Sequence, residues 1–173
     1  MNEIVIRFAD KNDAALIAET SRQSFFDTFA SFNTKENMDK FLSKQFTVES
    51  LMKEVGIDEN IFLLAYIENE LAGYAMMRET NNVIELKDKN AIEIVRFYAT
   101  KNSIGKGVGK ALMQKCCDVA VEKNKEIIWL CVWEHNQRAI DFYKKKGFEK
   151  FSDHVFMLGD DVQNDWKMMK KLL

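Results

Sequence analysis

The chain has 173 residues and a formal net charge of −2, enough length to bury a core and no basic excess to bind nucleic acid or an anionic membrane. No apolar run nears the roughly 20 residues that span a bilayer, and Met1 to Arg7 lacks the layout of a secretory signal. The cysteines Cys116, Cys117 and Cys131 are odd in number, which speaks against a disulfide framework and for structural thiols in a reducing, cytoplasmic setting.

Glu3 to Phe8 alternates as a strand does. Asp10 to Ala30 has helical spacing, with Asp10 or Asn12 to cap it. Thr34 opens a second helix with Met38, Phe41 and Leu42 as its apolar stripe, and Thr47 or Ser50 opens a third. Ile61 to Ile67 and Leu71 to Arg78 flank Glu68-Asn69-Glu70 and form a hairpin. The stretch 81–90 is polar and reads as a surface loop. Ala91 to Ala99 is a strand, Gly107 to Asn124 a helix, and Glu126 to Trp133 a continuously apolar strand suited to the centre of a sheet. Asn136 caps a further helix that ends at Gly147 in a left-handed cap. Phe148 to Phe151, His154 to Leu158 and Asp165 to Leu172 are short strands, the last two joined through Gly159-Asp160-Asp161. No composition break divides the chain, so residues 1–173 read as a single α/β domain.

Two features carry chemistry. Gly105, Gly107 and Gly109 follow a strand and open a helix, so the backbone from Gly105 to Lys110 can approach a ligand and offer N–H groups to an anion. A P-loop would need Ser or Thr after Lys110, where Ala111 stands, and a dinucleotide fingerprint starting at Gly105 would need a small residue at 110. Tyr143 shares a helix face with Asn136, Ala139 and Ile140; it is either a packing residue or a hydroxyl within reach of a leaving group. Glu93, inside an apolar strand, sits either on a solvated edge or in a pocket that raises its proton affinity, and Glu134 is a second candidate. His135 and His154 have no ligand-spaced partners, so no metal is expected.

Arg96-Phe97-Tyr98-Ala99, the glycine loop and Asn136 to Phe148 resemble the acetyl-CoA motifs of the GNAT superfamily of N-acetyltransferases. Phe26 to Phe29, Asn33 to Met38, Ile128 to Glu134 and His154 to Asp160 extend the likeness to the PaiA-type spermidine/spermine acetyltransferases. The resemblance implies a mixed α/β fold whose sheet, flanked by helices, splays open after a bulge in the Ala91–Ala99 strand. It implies acetyl-CoA as co-substrate, with backbone groups of Phe97, Tyr98 and Ala99 on the thioester and pantetheine arm. The pyrophosphate would rest on Gly105, Lys106, Gly107, Val108, Gly109 and Lys110, and Asn136 would hold the arm. Tyr143 would protonate the CoA thiolate. Ile104 stands where the superfamily usually has Gln or Arg, and Val95 where many polyamine acetyltransferases are acidic, which leaves Glu93 to act through water as base.

The expected acceptor is a primary amine of a polyamine, bound by Asp27, Phe29, Glu36 and Glu134, by a monomer or a homodimer. A protein N-terminus or another small amine is the alternative acceptor, and a weakly catalytic acyl-CoA-binding regulator the alternative role.

Overall fold

The computed structural model describes residues 3–79 and 83–172. The elements in chain order are β1 (Ile4–Phe8), α1 (Ala14–Phe29), α2 (Lys35–Lys40), α3 (Val48–Glu54), β2 (Asn60–Ile67), β3 (Glu70–Arg78), β4 (Ala91–Ala99), α4 (Val108–Glu122), β5 (Ile127–Trp133), α5 (Gln137–Lys145), β6 (Glu149–Leu158) and β7 (Asp161–Lys171). The strands form one seven-stranded sheet in the order β1-β2-β3-β4-β5-β7-β6. Every pairing is antiparallel except β4 with β5. This is the mixed sheet flanked by helices that the resemblance implied. Among the described residues no helix is long and apolar enough to cross a membrane.

The helix starts follow local capping. Asp10 accepts from Asn12 N–H at 2.7 Å and Asp13 from Asp10 N–H at 2.8 Å, so a 3-10 turn precedes α1. Thr34 caps α2, and Thr47 rather than Ser50 caps α3, each accepting a backbone N–H at 3.2 Å. The second helical stretch changes character at Phe41: Phe41–Gln45 is a π-helical turn. Three departures concern the strands and one loop, the first being that β7 begins at Asp161 rather than Asp165. The β6 segment read as two short strands is one, with a register shift between Lys150 and Ser152 that bends it without breaking it. Asn81 and Asn82 lie outside the described residues; the rest of that polar stretch turns through Ile84–Leu86 and buries Leu86 against Ala91, Ile127 and Trp129.

The sheet has two covered faces. On one, α4 buries Val108, Leu112, Met113, Cys116 and Val119 against Leu63, Ala75, Ile92, Ile94, Ile128 and Leu130, and α5 adds Ile140 and Tyr143. On the other, Ile17 of α1 packs on Phe62, Leu64, Tyr74 and Met76, while Phe25, Phe41, Phe46 and Leu158 form an adjoining aromatic cluster. That cluster is closed by the β6–β7 turn, where Asp160 N–H bonds Asn37 Oδ1 at 3.1 Å, Gln163 bonds Asn33 at 2.7 Å, and Lys40 pairs with Asp160.

Candidate active site

The central pair of strands parts company midway. β4 pairs with β5 only from Ala91–Ile127 to Ile94–Leu130. Beyond that, β4 continues with β3 alone and β5 with β7 alone. At the parting β4 carries a bulge: Met77 pairs with Ile94 and Met76 with Arg96, leaving Val95 extra. An extra residue resets the alternation of side chains. Val95 and Arg96 both face the α1–α3 layer, Val95 beside Ile17 and Tyr74, Arg96 bonded to Glu54 and 4.9 Å from the Phe46 ring centre. Phe97 is turned to the opposite face, 5.9 Å from the Phe142 ring and 6.2 Å from that of Tyr143.

The register also assigns the backbone donors. Thr100 N–H bonds the Ala72 carbonyl at 2.9 Å, one step past the Gly73–Ala99 pair. Bonded positions alternate along an antiparallel pair, so Tyr98 and Arg96 are bonded to β3 as well. The N–H groups of Phe97 and Ala99 therefore point into the cleft, and that of Tyr98 does not.

A cavity of about 810 Å³ runs through this cleft and opens on both faces of the sheet. On the α4–α5 side it is lined by Phe97, Ala99, Ile104, Gly105, Gly107, Gly109, Lys110, Asn136, Arg138, Ala139, Phe142 and Tyr143. Gly105 and Gly107 have φ of 84° and 90°, which only glycine adopts without strain. The first intrahelical bond of α4 closes from Ala111 N–H to Gly107 at 3.0 Å, so Val108, Gly109 and Lys110 keep N–H groups with no helical acceptor. Lys106 N–H instead closes a turn onto Ser103 at 3.2 Å. Asn136 Oδ1 accepts from Ala139 N–H at 3.2 Å, leaving its Nδ2 as a donor at the wall. Gly147, at φ 86°, ends α5 with Phe148 N–H on the Tyr143 carbonyl at 3.0 Å, which closes the last turn of the helix at Tyr143. Tyr143 is 7% exposed, and burial first, then Tyr98, raises its phenol well above the ordinary value, so it stays protonated.

On the other side the wall is aromatic: Phe25, Phe29, Phe41, Phe46, Trp133 and Phe156. Its titratable members include Glu93, Cys131, His154 and Asp165. Burial raises Glu93, partly opposed by Arg78. Burial, then the neighbouring Glu134, raises Asp165 to about 6. Burial pushes the Cys131 thiol up to about 12. A separate depression of about 620 Å³ at the outer β1–β2 edge, lined by Arg7, Tyr66 and Asn69, lies far from the cleft.

The structure thus brings Glu93, Phe97, Tyr98, Ala99, Gly105, Gly107, Gly109, Lys110, Asn136, Tyr143 and Phe29 to one cavity. Five others singled out from the sequence are not part of its wall: Lys106 and Val108 of the glycine loop, and Asp27, Glu36 and Glu134. Asp27 is exposed and accepts from Gln23 at 2.8 Å, because a helix that turns Phe25 and Phe29 inward turns the residue between them outward. Glu36 is exposed and pairs with Lys40 at 3.0 Å. Glu134 sits behind Asp165, its carboxylate accepting from Asn164 at 3.2 Å. Sequence reasoning missed Asp165, Arg138 and Gln163. The signal for Asp165 was its step-of-two spacing from Lys167 and Met169 on one strand face, hidden because the strand was begun at Asp165 rather than Asp161.

Comparison with known proteins gives a consistent result. The Acetyltransferase (GNAT) family profile matches residues 22–148. An uncharacterized N-acetyltransferase from the pepI 3′ region of Lactobacillus delbrueckii subsp. lactis is 36% identical over 98% of this chain and 97% of its own. The spermidine N(1)-acetyltransferase of Thermoplasma acidophilum is 26% identical over 84% of this chain and 88% of its own. Among solved structures, the PaiA N-acetyltransferase of Thermoplasma acidophilum, in complex with coenzyme A, superposes with a TM-score of 0.78 over 98% of this chain and 99% of that one at 24% identity. The chain belongs to the GNAT family of acetyltransferases.

Proposed function

We propose that the protein transfers an acetyl group from acetyl-CoA to a primary amine of a polyamine by direct attack. The observation that carries the acceptor class is a pair of carboxylates, Glu93 and Asp165, set in an aromatic-walled chamber and, among the described residues, without a hydrogen bond or ion pair of their own. Burying an unpaired carboxylate is costly. A cationic ligand with methylene segments to cover the rings would offset that cost at both positions. The likeness to a spermidine acetyltransferase supports the same reading.

The residues on the α4–α5 side fit acetyl-CoA. The unaccepted N–H groups of Val108, Gly109 and Lys110, beside two glycines at positive φ, suit a pyrophosphate. When bound, acetyl-CoA supplies the activated acyl group as a thioester. Phe97 N–H donates to the oxyanion that develops on the acyl carbonyl. Ala99 and Asn136 hold the pantetheine arm. Tyr143 donates its hydroxyl proton toward the sulfur as the bond to carbon breaks. Both substrates fit in one continuous cavity, one on each side of the sheet, so proximity removes the need for an acyl-enzyme.

The test is release of free thiol from acetyl-CoA in the presence of spermidine, spermine, propylamine or a peptide with a free N-terminus. Polyamines should be acetylated in preference to propylamine, and the preference should shrink as salt screens the attraction. Equal turnover of propylamine and spermidine at low salt would remove the polyamine assignment, and no turnover with any amine would remove amine acetylation.

A further inference from the structure

We infer that Asp165 is the group that takes the proton from the attacking amine, and that Glu93 holds a second, non-reacting ammonium of the same acceptor. This rests on the polyamine reading above and divides its two carboxylates into separate roles.

The division comes from strand register. The attack must occur beside the cleft-facing N–H of Phe97. Arg96 lies one step beyond Ile94 on β4, once the bulge is taken out, and Ile94 is level with Leu130 on β5. Phe97 is therefore level with Val132. Asp165 pairs with Trp133, one step further along β5. Glu93 pairs with Trp129, three steps behind the level of Phe97. At about 3.3 Å per residue, Asp165 lies within ~3 Å of the Phe97 level along the strand direction and Glu93 about 10 Å behind it. Asp165 also acts across the cleft, since its charge is felt at the Tyr98 hydroxyl on β4. Cys131, between the two carboxylates, is within electrostatic reach of both. Neither carboxylate can thus serve the position of the other, and the offset matches a chain of amines joined by short methylene spacers rather than a single ammonium.

The surroundings of Asp165 suit a base that must release its proton again. Glu134, just past the end of β5, raises its proton affinity, and His154 on β6 is its register partner at the cavity wall. Cys131 on β5 stays a neutral thiol, and Tyr98 on β4 a neutral phenol pushed up to about 12 by burial. Lys167, next along the same face of β7, is engaged by Glu85 at 3.0 Å. The α1–α3 layer contributes Phe25, Thr28, Phe29, Phe41 and Phe46 to the wall and no titratable group among the described residues. The ammonium gives one proton to the Asp165 carboxylate, and its freed lone pair forms the C–N bond. The adduct then loses a second proton to solvent as the C–S bond breaks. The sulfur takes one proton from Tyr143, which is restored from solvent, so one proton is released overall.

The experiment compares Asp165→Asn, Asp165→Glu and Glu93→Gln with wild type, using spermidine and propylamine, over pH 5–9. Asp165→Asn should lower kcat about 10²–10⁴-fold with both amines and abolish the acidic limb of the profile near pH 6. Asp165→Glu should recover part of the rate. Glu93→Gln should keep that limb and raise KM for spermidine at least tenfold, with little effect on propylamine. Acetyl-CoA affinity by calorimetry should match wild type in all three, which excludes misfolding. Asp165→Asn within threefold of wild-type kcat and with its acidic limb intact would overturn the inference. So would loss of that limb in Glu93→Gln, or an equal rise in KM for both amines. If wild type itself shows no preference for spermidine, it is the polyamine reading that fails.

Discussion

Gly73, in the middle of β3, is the residue on which the spacing of the cofactor side depends. A Cβ placed there would lie 2.6 Å from the Tyr98 carbonyl oxygen, 2.9 Å from Val108 Cγ1 and 3.1 Å from Ala99 Cα. Val108 can change rotamer, but the other two atoms are backbone, and they belong to the part of β4 that supplies the cleft-facing donors. Reaching an ordinary contact of ~3.5 Å would displace that stretch, or β3 itself, by roughly 0.9 Å. Overpacking of this kind costs about 1–3 kcal/mol, of which the lower chain entropy of alanine offsets about 0.4–1. At about 2–4 °C per kcal/mol for a chain of this size, Gly73→Ala should lower Tm by several degrees. Displacing positioned donors by nearly 1 Å should also cut kcat/KM, by up to about 10²-fold. Gly109→Ala is the control for stability alone, since Gly109 belongs to the loop proposed to hold the pyrophosphate. Its Cβ would meet Phe142 at 3.6 Å, an ordinary contact, and alanine favours the helix by about 0.5–1 kcal/mol, so Tm should rise. The two variants are compared by thermal unfolding and by calorimetric titration with acetyl-CoA. A Gly73→Ala protein with unchanged Tm and unchanged affinity would refute the reasoning.

Tyr143→Phe removes only a hydroxyl and should lower kcat while leaving acetyl-CoA affinity nearly intact. Because burial raises the phenol above an ordinary thiol, proton transfer is uphill until charge builds on sulfur, so the loss should fall near the lower end of the general-acid range, about 10²-fold; a loss below threefold would reduce Tyr143 to packing. Asp165→Asn should also change stability with pH. The folded carboxyl, at about 6, binds its proton more tightly than an unfolded one at ~3.9, so wild type loses stability as pH rises from about 4 through 6. The variant should equal wild type near pH 4 and exceed it at pH 7.5 by on the order of 1 kcal/mol, after discounting for solvent at the cavity mouth. A variant less stable than wild type at pH 7.5 in thermal unfolding would contradict this.

The two sides of the site were not equally legible in the sequence. The α4–α5 side is made of neighbours in the chain, and its signals are local: glycines where φ must be positive, an asparagine where a cap is needed, a glycine two residues after the last helical turn. The bulge at Val95 was expected only through resemblance, since no spacing in Ile92 to Arg96 announces an extra residue. The acceptor side was read less well. Asp27 was placed near the right rings, but the helical phase that buries Phe25 and Phe29 sends it to solvent. Asp165 was passed over because its significance depends on which residue of β5 it faces, and pairing partners are not written in either strand. Leu86 was lost inside a polar stretch because a single buried anchor leaves no periodicity to detect.

The β6–β7 turn carries a consequence for how the chain folds. The contacts that hold its tip to the α2 region, Asn37 with Asp160 and Asn33 with Gln163, join residues 123 and 130 positions apart. Closing such loops costs entropy before any contact rewards it, and that cost delays them. The segment from β4 through α5 needs no such closure to bring its own elements together. Folding should therefore build the α4–α5 side of the cavity early and complete the aromatic side last. The same order, reversed, makes the aromatic chamber the first region to open under stress; on the function proposed above, a partly opened molecule would still take up acetyl-CoA after it had lost the means to choose an acceptor.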